Sequence, residues 1–268
     1  AAIARRRHQR DTPLARKHLA VFTPREADAV VLKHIEARRA QGPGQVDFLK
    51  LLLEEPYHDT GRPMTEGQAL IEALQLMVAG NETSSNALTW LLYLLALHPE
   101  HVERIQAEID ANVGTGHITA ESLGMLKHTT RCVYEAMRLY PPFWMIDRIA
   151  INDDEAAGVR IPAGSMVIPY IYGAHRNTNH WDDPERFDPE RFQRPAMRAR
   201  HAFAYLPFGG GPRLCVGNNM ALSQIVMITV TLLRKYNLVY DRDTPVKIRP
   251  MMLLRPDGAV PIRFVSRS

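Results

Sequence analysis

F-G-G-G-P-R-L-C-V-G, Phe208 to Gly217, is the stretch that decides how the rest of the chain is read. Three consecutive glycines extend neither a helix nor a strand without entropic cost, so the backbone here is shaped for close approach to something. Cys215 stands where this loop ends and an apolar helix begins, from Asn218 to about Lys235. A helix N-terminus offers unpaired N–H groups and the positive end of the dipole, both of which favour thiolate over thiol. Gly217 lets that helix lie close to a flat ligand, and Arg213 adds a cation for an anionic group on it. The bland reading is a buried cysteine in a Gly-Pro turn. A zinc site at Cys215 is disfavoured, because structural zinc takes about four ligands and no Cys or His lies beside this loop at a ligand spacing.

The pattern Phe208-x-x-Gly211-x-Arg213-x-Cys215-x-Gly217 resembles the haem-binding loop of the cytochrome P-450 family. The resemblance implies that the Cys215 thiolate is the axial ligand of iron, in haem b (iron protoporphyrin IX), with Phe208 beside the thiolate and Gly211 and Gly217 shaping the loop.

Length and composition agree with such a domain. The 268 residues allow a large core, as one domain or two. Apolar residues make up 46% and charged residues 23%, ordinary for a globular protein. Two cysteines, Cys132 and Cys215, indicate no disulfide framework and a reducing compartment, so a cytoplasmic site is expected. A formal charge of +4 is too mild to indicate nucleic acid as a partner. The chain begins at Ala1 without Met, in a basic helical pattern to Ala20, and aligns with the C-terminal portion of family members. It is therefore expected to lack their N-terminal part, where a membrane anchor could lie.

Upstream, Thr23-Pro24 reads as a helix start, Gly42-Pro43-Gly44 as its stop, and Asp47 as the cap of a short helix from Phe48 to about Glu54. Thr65 and Gln68 have capping-box spacing and open a long helix, about 65–97, ended by His98-Pro99. Its middle, Ala79-Gly80-Asn81-Glu82-Thr83, places a glycine where it costs about 1 kcal/mol relative to alanine. Ala79, Gly80 and Thr83 share one face at i,i+3 and i,i+4, leaving a groove beside a hydroxyl. An exposed polar stripe is the plain alternative. The sequence resembles the family's distal-helix motif, which implies that this helix crosses the haem face opposite Cys215, with Ala79 and Gly80 against the cofactor and Glu82 and Thr83 relaying protons to O2.

Glu135 and Arg138, at i,i+3 before Pro141-Pro142, could be a surface pair. In the family, E-x-x-R is a buried network joined by an arginine of the later P-E-R-F copy, which points to Arg191 rather than Arg186. Arg148, His175 and Arg213 fall where family members bind haem propionates. Phe143, Trp144, Met145, Met251, Met252 and Leu253 match positions that line the family's substrate pocket, and their apolar character suits a lipophilic substrate. Strands are expected as Val159–Ile161, turning at Pro162-Ala163-Gly164 into a run from Met166 to Ile171. Further strands are expected at 238–240 and as a hairpin of Val246–Arg255 with Val260–Val265 around Pro256-Asp257-Gly258.

The sequence thus predicts a mainly α fold with a minor β region, the cytochrome P-450 fold without its N-terminal part, as a single haem-binding domain over 1–268. The resemblance implies monooxygenation: one atom of O2 enters a lipophilic organic substrate, with electrons from a separate donor. No dinucleotide fingerprint is present to suggest a fused reductase. From Arg191 to Tyr240 there is no Asp or Glu, while Arg194, Arg198, Arg200, Arg234 and Lys235 give a basic face, which suits an acidic ferredoxin or flavin reductase. Peroxide-using or isomerising relatives, and a truncated non-catalytic haem-binding fragment, are the alternatives. Glu82-Thr83 speaks against the first.

Overall fold

The computed structural model describes residues 25–40, 47–241, 243 and 245–267. The basic segment Ala1–Ala20, the Thr23-Pro24 start and the Gly42-Pro43-Gly44 stop lie outside the described residues. The chain forms two compact units, Ala1–Asn81 and Glu82–Ser268, the boundary falling within a helix.

The first unit holds α1 (Arg25–Ala40), α2 (Phe48–Glu54) and the start of α3 (Glu66–Leu97). Asp47 caps α2 by accepting from the Lys50 N–H at 2.8 Å. Val31, Ile35 and Leu74 are buried together, with Leu49, Leu53, Leu70 and Ala73 packed against them. Before α3, the Thr65 N–H donates to Gln68 Oε1 at 2.9 Å and the Gln68 N–H donates back to Thr65 Oγ1 at 3.4 Å, so two orphan donors are satisfied reciprocally. The helix runs for 32 residues, about 48 Å, without a break at Gly80.

In chain order the second unit adds α4 (Pro99–Asn112), α5 (Ala120–Met125), α6 (Lys127–Leu139), β1 (Arg148–Ile149), β2 (Asp154–Ala156), β3 (Val159–Ile161), β4 (Met166–Val167) and α7 (Ile171–Ala174). Then come α8 (Arg194–Ala199), α9 (Asn218–Leu233), β5 (Tyr236–Tyr240), β6 (Ile248–Pro250), β7 (Leu254–Pro256) and β8 (Ile262–Ser266). Its core gathers Trp90, Leu91 and Leu95 of α3, Ile105 and Ile109 of α4, Val133 and Met137 of α6, and Val230 and Leu233 of α9. The Trp90 ring stacks on Tyr140 at 3.9 Å, and its Nε1–H donates to the Leu254 carbonyl at 2.8 Å. Asn86 Nδ2 donates to the same carbonyl at 2.9 Å, so one oxygen ties β7 to α3 twice.

The strands pair otherwise than expected. β3 pairs with β2, through a turn in which Ala157 and Gly158 both have positive φ (51° and 78°), the geometry that matches hairpin twist. Pro162–Gly164 therefore does not join a β3–β4 hairpin, since β4 pairs with β1. The run from Met166 to Ile171 is strand only at β4, and Ile171 already belongs to α7. Pro256-Asp257-Gly258 likewise does not close the expected hairpin. β7 folds back on β6 around Met251–Leu253, with the Asp257 N–H donating to Lys247 O at 2.8 Å, while β8 crosses to β5. Period-2 patterning marks strands but does not choose their partners.

Candidate active site

The Cys loop needs its glycines at two places. Gly209 (φ 74°) and Gly211 (φ 67°) hold left-handed backbone, where a side chain would be strained whatever the space. The Cys215 N–H donates to Phe208 O at 3.1 Å and closes the loop, while Phe208 packs against the core. Asn218 Nδ2 donates to the Cys215 carbonyl at 3.1 Å, where the loop meets α9. A Cβ at Gly217 would stand 4.0 Å from Cys215 Sγ, in ordinary van der Waals contact, so this glycine lies directly beside the thiol. Cys215 is exposed. Beside it Val216 is 84% exposed, and Leu214 and Met220 are exposed as well. Apolar side chains presented around a thiol at a helix N-terminus suit a flat apolar ligand that carries a thiolate-seeking ion. Arg148 and Arg213 are exposed cations that suit its anionic arms, Arg148 donating only to its neighbour Asp147 O at 2.7 Å among the hydrogen bonds of the described residues. These residues fit haem.

Glu135 and Arg138 form a buried hub. Both side chains are fully enclosed, and Arg138 binds Glu135 bidentately through Nε and Nη2 at 2.7 and 2.8 Å. The same guanidinium donates to the carbonyls of His175 (2.9 Å), Pro184 (2.7 Å) and Arg186 (3.2 Å). The Asp188 N–H donates to Glu135 Oε1 at 2.9 Å, and Arg191 Nε lies 3.4 Å from that oxygen. Arg191 also donates to the carbonyls of Asp182 and Asp183. Arg186 instead pairs outward with Asp188.

His175 stands in this hub and not beside a propionate. It is fully buried, its Nδ1 is 3.1 Å from Arg138 O, and its Nε2 accepts from the Leu206 N–H at 2.8 Å. Both ring nitrogens are used by backbone, so the ring ties α6 to the approach to the Cys loop. The expectation that His175 binds haem is replaced by this positioning role. Burial, aided by the charges of Arg138 and Arg176, pushes its pKa down to about 3. The unfolded chain, with a His pKa of about 6.5, therefore takes up a proton that the folded one refuses. This contribution leaves stability unaffected above about pH 6.5 and lowers it by about 1.4 kcal/mol per pH unit as pH falls toward about 3. Urea unfolding between about pH 6.5 and about pH 4.5 should show this slope, and His175→Gln should remove about one proton's worth of it. An unchanged slope in the variant would show that His175 is not the group responsible.

Around the middle of α3, Ala79 and Gly80 are exposed, and a Cβ at Gly80 would meet nothing within 4 Å. Thr83 is half-buried. Glu82 forms an ion pair with Arg255 of β7, a partner that sequence reading did not identify. The two apolar segments expected to line a substrate pocket are brought side by side. Trp144 Nε1 donates to Met251 O at 2.7 Å, and the Leu254 N–H donates to Pro142 O at 2.9 Å. Phe143, Met145, Met251 and Met252 are exposed there, whereas Leu253 is 2% exposed and belongs to the interior. On the basic face Arg194, Arg198 and Lys235 are exposed. Arg200 is not free for a partner, because it stacks on Trp181 at 3.8 Å and donates to Arg191 O at 2.8 Å. Arg234 has two buried guanidinium nitrogens and also leaves the docking set.

Among the described residues no helix is long and apolar enough to cross a membrane.

The family model described as Cytochrome P450 matches residues 11–262. Cyclooctat-9-en-7-ol 5-monooxygenase of Streptomyces melanosporofaciens is 35% identical over 209 residues, covering 78% of this chain and 46% of that protein. Putative cytochrome P450 132 of Mycobacterium bovis is 36% identical over 234 residues, covering 87% of this chain and 50% of that protein. The crystal structure of the cytochrome P450DA heme domain superposes with a TM-score of 0.85 at 28% identity, covering 90% of this chain and 54% of that one. The chain thus spans about half the length of the curated relatives it matches. With the exposed thiol loop, the buried E-x-x-R hub and these likenesses together, the chain belongs to the cytochrome P450 family.

Proposed function

We propose that this chain is the haem-binding portion of a monooxygenase that inserts one atom of O2 into a lipophilic organic substrate. The observation that carries this reading is the exposed Cys215 thiol, held by a glycine-shaped loop at the N-terminus of α9 and ringed by exposed apolar side chains. When bound, haem b would supply oxygen activation through its iron, with thiolate donation weakening the O–O bond. Cys215 Sγ would hold it from one side, and Arg148 and Arg213 would fix its carboxylates. The exposed apolar edge formed by Phe143, Met145, Met251 and Met252 would take up the substrate by excluding water. Cyclooctat-9-en-7-ol 5-monooxygenase is, by its name, a monooxygenase of cyclooctat-9-en-7-ol, which supports this class.

Thr83 Oγ1 would present a proton on the Ala79-Gly80 face. Glu82 would supply it when its pair with Arg255 opens. Thr83→Ala is expected to keep haem binding and to lower product formed per electron consumed, with hydrogen peroxide accounting for the loss. Unchanged coupling would remove Thr83 from this role. Electrons would come from an acidic ferredoxin or flavin reductase, steered by Arg194, Arg198 and Lys235. The rate of first-electron delivery should fall as salt rises, since exposed charges are screened over about 10 Å at 0.1 M.

The reading is tested by the absorption spectrum of the reduced, carbon monoxide-treated protein after haem loading. A red-shifted Soret band of the thiolate type is expected. A band without thiolate character, or failure to take up haem, would overturn it.

A further inference from the structure

Away from the Cys loop, His101 of α4 and His128 and Cys132 of α6 point their ligand atoms at one another inside the protein. His101 Nδ1 lies 3.3 Å from His128 Nε2, Cys132 Sγ lies 3.6 Å from that same nitrogen, and all three atoms fall within 4.8 Å of each other. His128 and Cys132 occupy one helix face at i,i+4, and a histidine from the neighbouring helix meets them. Their residual exposures are 9%, 5% and 0%, His101 being the one closest to solvent.

From these positions we infer that His101, His128 and Cys132 form a tetrahedral site for a divalent transition ion, zinc being the fitting one. Bonds of about 2.0–2.1 Å from zinc to nitrogen and about 2.3 Å to sulfur give a tetrahedron whose N–N edge is about 3.3–3.4 Å and whose N–S edge is about 3.6 Å. The two separations to His128 Nε2 match those edges, and His101 Nδ1 and Cys132 Sγ lie within 4.8 Å of each other. An ion accounts for the convergence of all three atoms on one point, because each of them then offers it a lone pair. One imidazole-rich set with a single sulfur suits zinc better than the hard ions calcium or magnesium, which take oxygen. The fourth position of the tetrahedron is left to solvent.

The surroundings also suit an ion. Glu190 Oε1 lies 3.6 Å from His128 Nδ1, an anion beside the far side of the imidazole but beyond hydrogen-bond reach. Arg131 Nη2 stands 3.5 Å from the same Nδ1, but Arg131 and Arg104 are both drawn onto Glu190, at 3.7 and 2.7 Å. Glu108 fixes the start of α6 by accepting from the His128 and Thr129 N–H groups at 2.7 and 2.9 Å. Coordination breaks the Cys132 S–H bond, the proton leaves to solvent, and the sulfur's electron pair forms the bond to the ion. No change of oxidation state is involved.

Cobalt(II) is the probe that reports a thiolate ligand. The chain has two cysteines, so in a Cys215→Ser background any thiolate-to-cobalt charge-transfer band must come from Cys132. One cobalt per chain with that band, displaced by zinc, is expected. Adding Cys132→Ser should abolish the band, and adding His101→Gln should weaken cobalt binding by at least about tenfold. A folded Cys215→Ser protein that shows no band, or a His101→Gln variant that binds cobalt as well as its parent, overturns the site. A second measurement does not depend on that background. Zinc should raise the melting temperature of the unsubstituted chain and leave that of Cys132→Ser unchanged. Equal shifts in the two would show that the zinc is bound elsewhere.

Discussion

Replacing Arg138 with alanine is expected to leave little or no folded protein. The substitution strands the Glu135 carboxylate in a fully enclosed site and strips donors from the carbonyls of His175, Pro184 and Arg186. Removing one partner of a buried charge pair costs about 3–5 kcal/mol. Domains of ordinary stability have about 5–15 kcal/mol in total, so the loss takes a large part of it. Glu135→Ala should cost a similar amount by freeing the guanidinium and the Asp188 N–H. The Glu135→Ala/Arg138→Ala double variant should cost less than the sum of the two, because neither leaves a charge behind for the other. Urea unfolding of the four proteins checks this. Strict additivity, or a single variant as stable as the parent, would show that the pair is not energetically coupled. Arg138→Lys should rescue only in part, since an ammonium cannot span both carboxylate oxygens and three carbonyls.

Cys215→Ser is the second large effect. It should abolish the thiolate-type band of the reduced, carbon monoxide-treated protein completely and, with it, substrate oxidation, because a hydroxyl is not a thiolate donor at neutral pH. The fold should survive, since Cys215 is exposed and its backbone contacts to Phe208 and Asn218 do not involve the sulfur. Cys132 cannot stand in, being wholly buried in α6. A serine variant that keeps the band would overturn the assignment of Cys215 as the iron ligand.

What could be read in the sequence was what short spacings encode. The glycines around Cys215, the Thr65–Gln68 box, the Asp47 cap and the helix breaks at His98-Pro99 and Pro141-Pro142 are local, and the helices appear where these signals put them. Strand partners were not legible, because alternation says which face is apolar and nothing about which edge it meets. β8 reaches back to β5, while the apparent Pro256-Asp257-Gly258 hairpin is only the exit from β7. Site chemistry carried by distant partners was equally hidden. The acid at 82 is read easily, but its partner Arg255 arrives from strand β7, far along the chain. His175 was expected at a propionate only through its place in the family resemblance. Its true partners are two backbone groups, which no residue type announces. For His128 and Cys132 a signal was present in the His-x-x-x-Cys spacing, but it meant little until α4 brought His101 alongside.

The hub around Arg138 also bears on the order in which the protein can be made. Arg138 waits for the carbonyls of Pro184 and Arg186, 46 and 48 residues later, and Glu135 for the Asp188 amide, 53 residues later. During synthesis the N-terminal helices of this unit emerge first and have their apolar faces ready. Yet α6 cannot bury its charged pair until the chain through Asp188 has left the ribosome. At about 5–20 residues per second, that interval is several seconds in which α3, α4 and α6 hold an unfinished, sticky interface. The E-x-x-R pair thus cannot be completed until the segment leading to the Cys loop has been made.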